Sequence, residues 1–127
     1  MPEPLVLVVD DEPHIRETIS FILEMEGFRV ETAGDGEEAL DAVARLRPRV
    51  VLLDAMMPRR DGFDVCRTIR ATPELADVRV IVLTALGQQT DRERALAAGA
   101  DHYVSKPFDE QALLELLREL TGQAPPA

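Results

Sequence analysis

The 127-residue chain has one cysteine, Cys66, one tyrosine, Tyr103, and no tryptophan. A single thiol excludes an internal disulfide and any cysteine-based metal cluster, which leaves Cys66 as a small apolar filler on a helix. Lysine is almost missing: of 14 basic residues only Lys106 is lysine, the rest being arginine. Codon bias would account for such a skew, and the surviving lysine then marks a place where a compact, mobile ammonium serves and a planar guanidinium does not. Excess positive charge is also lacking. With 24 acidic residues the net charge is −10 and the pI near 4.6, which argues against a nucleic-acid surface, since phosphate backbones are bound through clustered Lys and Arg. No apolar run approaches the ~20 residues of a membrane span. The start, Met1-Pro2-Glu3-Pro4, lacks the basic region and small-residue cleavage site of a secretory signal. The expectation is a cytoplasmic chain with no direct nucleic-acid or membrane contact.

What is present is a hydrophobic fraction of 46% with 30% charged residues, the balance of a soluble globular domain with one core. Residues 1–121 read as that domain and 122–127 as a tail or linker stub. Apolar runs without polar alternation, Leu5 to Val9, Val50 to Asp54 and Val78 to Leu83, suit strands covered on both faces. Phe28 to Ala33 alternates and suits an edge strand; Asp101 to Ser105 is a short fifth. Between them lie helical patterns. Ile15, Ile19 and Ile22 give the first helix a core stripe, with Phe21 off it as a rim residue or part of a docking surface. Glu37 to Arg47 carries Ala39, Leu40, Val43 and Leu46 on one face. Phe63, Cys66 and Ile69 mark a third helix from about Phe63 to Ala71. A small-residued fourth runs through Ala98 to a cap at Gly99, and a last helix from Asp109 carries Leu113, Leu116, Leu117 and Leu120. Five strands alternating with five helices predict an α/β, doubly wound, flavodoxin-like three-layer sandwich with a five-stranded parallel sheet in the order 2-1-3-4-5.

In that order the strand ends converge. Asp10 and Asp11 close the first strand, Asp54 the third and Thr84 the fourth, with Lys106 just past the fifth. Ligands bind at the carboxyl edge of such sheets. Three neighbouring carboxylates repel unless a pKa rises or a cation binds. Oxygen-only donors favour a hard ion, so Mg²⁺ with a phosphoryl group is the simplest occupant. A carboxylate can attack phosphorus to give an aspartyl phosphate. Lys106 and the Thr84 hydroxyl would then supply the charge and hydrogen bond that phosphoryl oxygens need.

These residues resemble the receiver domain of bacterial response regulators over about residues 5 to 121: the Asp10-Asp11 pair, Asp54, Pro58 and Gly62 in the following loop, Thr84-Ala85, Tyr103, and Lys106-Pro107-Phe108. The resemblance implies Asp54 as phosphoacceptor, with Asp11, Asp54 and the Met56 backbone carbonyl as ligands of Mg²⁺ (Mn²⁺ as a substitute) and Asp10 nearby or acting through water. Thr84 and Lys106 would hold the phosphoryl oxygens, and Tyr103 would turn inward as Thr84 moves. It implies no turnover beyond the chain's own phosphorylation and dephosphorylation. Its partners would be a histidine kinase or histidine phosphotransfer protein and a downstream protein target, reached through the fourth helix, fifth strand and fifth helix, with phosphorylation-dependent homodimerisation as a further expectation.

Two departures stand out. Ala112 and Leu116 occupy positions where DNA-binding dimers of that family would carry an acid and a base, which weakens a transcription-factor reading. Met56 and Leu86 are apolar and cannot orient an attacking water, so a long-lived phosphoryl group is expected. His14 and His102 read as surface residues, and Arg59 and Arg60 as a solvated pair. The rival readings are the receiver part of a larger multidomain regulator and a phosphatase of the haloacid-dehalogenase type. The latter places its nucleophile on the first strand with a second Asp two residues on, whereas here Asp10-Asp11 are adjacent and Glu12 follows.

Overall fold

The computed structural model describes residues 4–57, 60–84, 89–106 and 108–123. Along the chain these form β1 (Leu5–Val9), α1 (Pro13–Met25), β2 (Arg29–Ala33), α2 (Gly36–Leu46), β3 (Val50–Asp54), α3 (Gly62–Arg70), β4 (Arg79–Thr84), α4 (Gln89–Ala97), β5 (His102–Ser105) and α5 (Glu110–Thr121). A 3-10 turn at Pro73–Leu75, which no apolar periodicity announced, leads into β4. The five strands pair in parallel in the order β2-β1-β3-β4-β5, the predicted topology. Element ends differ from the sequence reading by about one residue.

The strands' period of two divides the core. Leu7, Val9, Val51, Leu53, Val80 and Val82 face one layer, where Ala39, Val43, Phe63, Cys66, Ile69 and Ala95 of α2, α3 and α4 meet them. Val6, Val8, Val50, Leu52, Ile81 and Leu83 face the other, against Ile19 and Leu23 of α1 and Leu113, Leu114 and Leu117 of α5. Successive side chains point to opposite faces of a strand, so β1 and β3 are wholly buried and are apolar up to Asp54, which ends β3. Edge strand β2, by contrast, exposes Arg29, Glu31 and Thr32.

One core expectation is corrected and another is extended. Ile15 is 36% exposed, because it sits in the first turn of α1 where the chain has only just left the sheet edge; Ile19 and Leu23 carry the stripe. On α5, Leu114 is buried while Leu116 is only half-buried. The inner face is turned toward Leu114 and Thr121, leaving Leu116 at its margin. Phe21 is 65% exposed, as its angle on the helix implied. Among the described residues, no helix is long and apolar enough to cross a membrane.

Acidic caps start α1, α2, α3 and α5 at the carboxyl edge. The side chains of Asp35, Asp61 and Asp109 accept from Glu38, Asp64 and Gln111 backbone N–H groups, and Glu12 accepts from His14. Each such cap contributes about 1 kcal/mol. Gly99 has φ +99°, the left-handed conformation expected of the cap that ends α4. Gly62 answers a different demand, since α3 starts against the end of β3. A Cβ at Gly62 would lie 2.3 Å from the Asp54 carbonyl oxygen and 2.9 Å from Ala55 Cα. Backbone cannot yield as a side-chain tip can. Gly62→Ala should therefore destabilise the chain by about 2 kcal/mol, read as a lowered midpoint in urea; an unchanged midpoint would show that α3 shifts freely.

Candidate functional site

The carboxyl edge gathers the polar residues the sequence singled out. Asp10 is 2% exposed although charged, and its environment supplies the compensation. Its N–H donates to the Ala33 carbonyl at 3.2 Å. Its Oδ1 accepts from the Glu12 N–H at 2.9 Å, and its Oδ2 from Lys106 Nζ at 3.1 Å. Asp54, 6% exposed, ends β3; its Oδ1 accepts from the Met56 N–H at 3.3 Å and lies 3.4 Å from Lys106 Nζ. One ammonium thus serves two buried carboxylates. Asp11 is exposed at the rim, and one carboxylate oxygen from each of Asp10, Asp11 and Asp54 lies within 4.8 Å of the others.

Parallel register explains the convergence. Asp54 is aligned with Leu83, Thr84 is the next residue of β4, and Thr84 is in turn paired with Ser105. The Lys106 N–H donates to the Thr84 carbonyl at 2.7 Å, which fastens the end of β5 beside that of β4. Thr84 is 1% exposed. Tyr103, on β5, packs its half-buried ring against the layer under α2, α3 and α4. Its hydroxyl oxygen is buried without a hydrogen-bond partner among the described residues, an arrangement that costs about 1–3 kcal/mol.

Burial raises the pKa of Asp54; the ammonium of Lys106 opposes the shift, Asp10 adds to it, and the Met56 N–H opposes it again. The donor set is oxygen only. Its spread of 4.8 Å is slightly wider than the ~4.2 Å across an octahedral Mg²⁺ shell, so a hard divalent cation fits with small side-chain movements. Met56 is 61% exposed beside Asp54, within the stretch from which a backbone carbonyl would be drawn.

Other candidates fall differently. His14 is exposed on the first turn of α1 and His102 lies half-buried on β5. Arg60 is not merely solvated: it pairs with Asp64 at 2.9 Å and Glu37 at 3.4 Å, tying the loop after β3 to α2. Gly36 makes room for this contact, since a Cβ there would meet the Arg60 carbonyl at 2.9 Å. Arg16 was also missed; its guanidinium Nη1 donates to the Asp10 carbonyl at 2.7 Å. Arginines on helices are commonplace, and the only signal was a position six residues past Asp10. Pro58, Arg59, Ala85, Leu86 and Pro107 lie outside the described residues. A cleft of about 500 Å³ opens at the opposite, amino edge, where Arg47, Arg49, Arg79, Glu74 and Asp77 mix both signs of charge; the acidic cluster is not part of it.

A sheet of this order with an acid trio and a lysine at its carboxyl edge makes a flavodoxin-like α/β domain with an oxygen-rich site at its strand ends, and comparison makes the class specific. The response regulator receiver domain family model matches residues 6–118, and the chain belongs to that family. It is 41% identical over 117 residues to the DNA-binding dual master transcriptional regulator RpaA of Synechocystis sp., covering 92% of this chain and 48% of that protein. It is 45% identical over 121 residues to the response regulator MprA of Mycobacterium leprae, covering 95% and 52%. The chain therefore spans about half the length of the curated relatives it matches. Among solved structures, a putative response regulator from Chloroflexus aurantiacus superposes with a TM-score of 0.89 at 29% identity, covering 95% of this chain and 99% of that one. The receiver domain of a sensor histidine kinase from Pseudomonas aeruginosa, solved with magnesium ion coordinated in its active-site cleft, gives 0.87 at 35% identity with coverage of 95% and 99%.

The raised pKa of Asp54 makes a pH prediction. The folded chain holds this proton more tightly than the unfolded chain, whose value is near 3.8. Stability from the group is full below that value and is lost as pH rises through the folded-state pKa. In EDTA at neutral pH, Asp54→Asn should have the higher Tm, and the gap should close on acidification below the unfolded value. Equal Tm values at neutral pH would contradict it.

Proposed function

We propose that Asp54 accepts a phosphoryl group from the phosphohistidine of a histidine kinase or histidine phosphotransfer protein. The observation that carries this reading is the Lys106 ammonium in reach of both Asp10 and Asp54, 3.1 and 3.4 Å away, at a sheet edge that also bears Thr84. An Asp54 carboxylate oxygen bonds to phosphorus as the phosphorus–imidazole nitrogen bond breaks, and the imidazole nitrogen leaves with the electron pair. Lys106 and the Thr84 hydroxyl then hold the phosphoryl oxygens. Asp11, Asp54 and the Met56 backbone carbonyl would bind Mg²⁺, or Mn²⁺ in its place, with Asp10 alongside or bridged by water. A bound ion would supply neutralising charge for the phosphoryl oxygens.

The phosphoryl group adds nearly two negative charges and three acceptors, enough to draw Thr84 and Lys106 inward and alter how Tyr103 packs. The face of α4, β5 and α5 then signals to a protein target, with homodimerisation on phosphorylation as one form of output. The chain performs its own phosphorylation and dephosphorylation and turns over no other substrate. Residues 1–121 form the acting unit, placed in the cytoplasm with its kinase.

A second reading, the receiver part of a longer regulator, is favoured by relatives about twice this length. Any DNA contact would then belong to the other part, because these residues carry −10 net charge. On α5, Ala112 is exposed and Leu116 half-buried, so the acid and base expected of a DNA-binding dimer are missing at those two positions.

A small phosphodonor such as acetyl phosphate with Mg²⁺ should label the chain to about one phosphoryl group, and Asp54→Ala should abolish labelling. Sustained turnover of a phosphate ester would instead favour the phosphatase. Lys106→Ala should slow labelling roughly 100-fold, the scale of losing one positioned charge donor. Since Met56 offers no group to orient water, the label should persist for minutes or longer; decay within seconds would refute that expectation.

A further inference from the structure

Asp10 is fixed at every polar group: N–H to Ala33, Oδ1 to Glu12, Oδ2 to Lys106, and carbonyl to Arg16. The last contact has no part in the phosphoryl chemistry. Arg16 stands one turn into α1, and its own N–H donates to the Glu12 carbonyl at 3.1 Å, so backbone and side chain both close the loop running from Asp10 to the helix. The Asp10 carbonyl is one end of the peptide plane that leads into Asp11. Holding that oxygen at 2.7 Å restrains the peptide plane in which the Asp11 Cα lies.

A second contact seats the guanidinium. A Cβ at Gly34, in the turn between β2 and α2, would lie 3.1 Å from Arg16 Nη1, 3.7 Å from Arg16 Cζ and 3.4 Å from Glu38 Oε2. The arginine therefore occupies space that Gly34 leaves open, and no positive φ explains that glycine. We infer that Arg16 is a positioning residue for divalent-cation binding: through the Asp10 carbonyl it aims the Asp11 carboxylate at the ion, and Gly34 provides the seat for its side chain. This rests on the proposed metal-binding role of Asp11.

The sign of the effect separates positioning from two simpler roles. As a nearby positive charge alone, Arg16 would repel the ion, and its removal would tighten binding. As a structural staple alone, it would change stability and leave affinity untouched. As a positioning residue, its loss weakens affinity although a repelling charge has gone; partners that orient metal ligands typically matter by 10–100-fold.

The test is the Mg²⁺ dissociation constant of the full chain by calorimetric titration, paired with Tm in EDTA. Arg16→Ala should weaken binding about 10-fold, and Arg16→Lys should recover part of the loss. Gly34→Ala, which crowds the guanidinium but keeps its charge, should weaken binding in the same direction. Gly34→Ala and Arg16→Lys carry the test if Arg16→Ala does not fold. Unchanged or tighter binding in these variants, with Asp11→Asn abolishing it, would overturn the role of Arg16 and leave the metal reading intact. Full affinity in Asp11→Asn would overturn both.

Discussion

The chain's single lysine holds together an edge that would otherwise repel itself. Asp10 and Asp54 are buried carboxylates on neighbouring strands, and an ionised group removed from water without a partner is costly by several kcal/mol. Lys106 sits within 3.4 Å of both. Two unit charges near 4 Å attract by about 4 kcal/mol at the effective dielectric of a partly buried site, much the same size as the desolvation it offsets. The balance is close because Asp54 still keeps a raised pKa despite the lysine. Such an edge has more negative charge than its own cation neutralises, so a divalent ion and a movable ammonium suit it better than a fixed guanidinium would.

Everything that brings these groups together is a property of the sheet. Parallel strands in register, with Asp10 and Asp54 each ending an apolar run and Thr84 one residue beyond the partner of Asp54, need no loop to search for its place. Loops instead fix the second layer of contacts. Gly62 lets α3 begin against the Asp54 carbonyl, and Arg60 clips the same loop to α2. The site is thus precise where backbone ladders define it and adjustable where side chains do.

That division also explains what the sequence made legible. Apolar runs ending in acids report strand ends directly, so the fold and the grouping of Asp10, Asp11, Asp54, Thr84 and Lys106 followed from pattern and topology together. Arg16 and Arg60 were not legible. Their partners are a backbone carbonyl and acids on another element, and neither leaves a periodic trace. Ile15 misled and Leu114 was missed for a geometric reason: helical spacing identifies a face, whereas the rim of the sheet and the small rotation of α5 decide which members of that face are most fully covered. The Pro73–Leu75 turn was hidden similarly, being too short for any period.

The face opposite α1 is where a change at Asp54 would meet least resistance. Among the described side chains of α4 only Ala95 is buried, with Ala98 buried just past the helix end, while Leu96 is 48% exposed. No large apolar side chain there anchors the helix. Arg94 adds a guanidinium 4.1 Å above the Phe63 ring, worth about 0.5–1 kcal/mol at an exposed site. Phe63 follows Gly62, whose backbone abuts Asp54, so this contact connects α4 to the site through α3. Beneath it, the Tyr103 hydroxyl is buried without a partner among the described residues. Moving a population from 1:99 to 99:1 needs about 5.5 kcal/mol. Among the described residues the Ala95 contact and the cation–π contact each contribute less than that figure, and the unsatisfied hydroxyl detracts from it, whereas a few charge-assisted hydrogen bonds to a phosphoryl group, at about 1.5–3 kcal/mol each, would reach it. Weak packing of α4 is the property that the proposed read-out of a local change of charge at the surface would need.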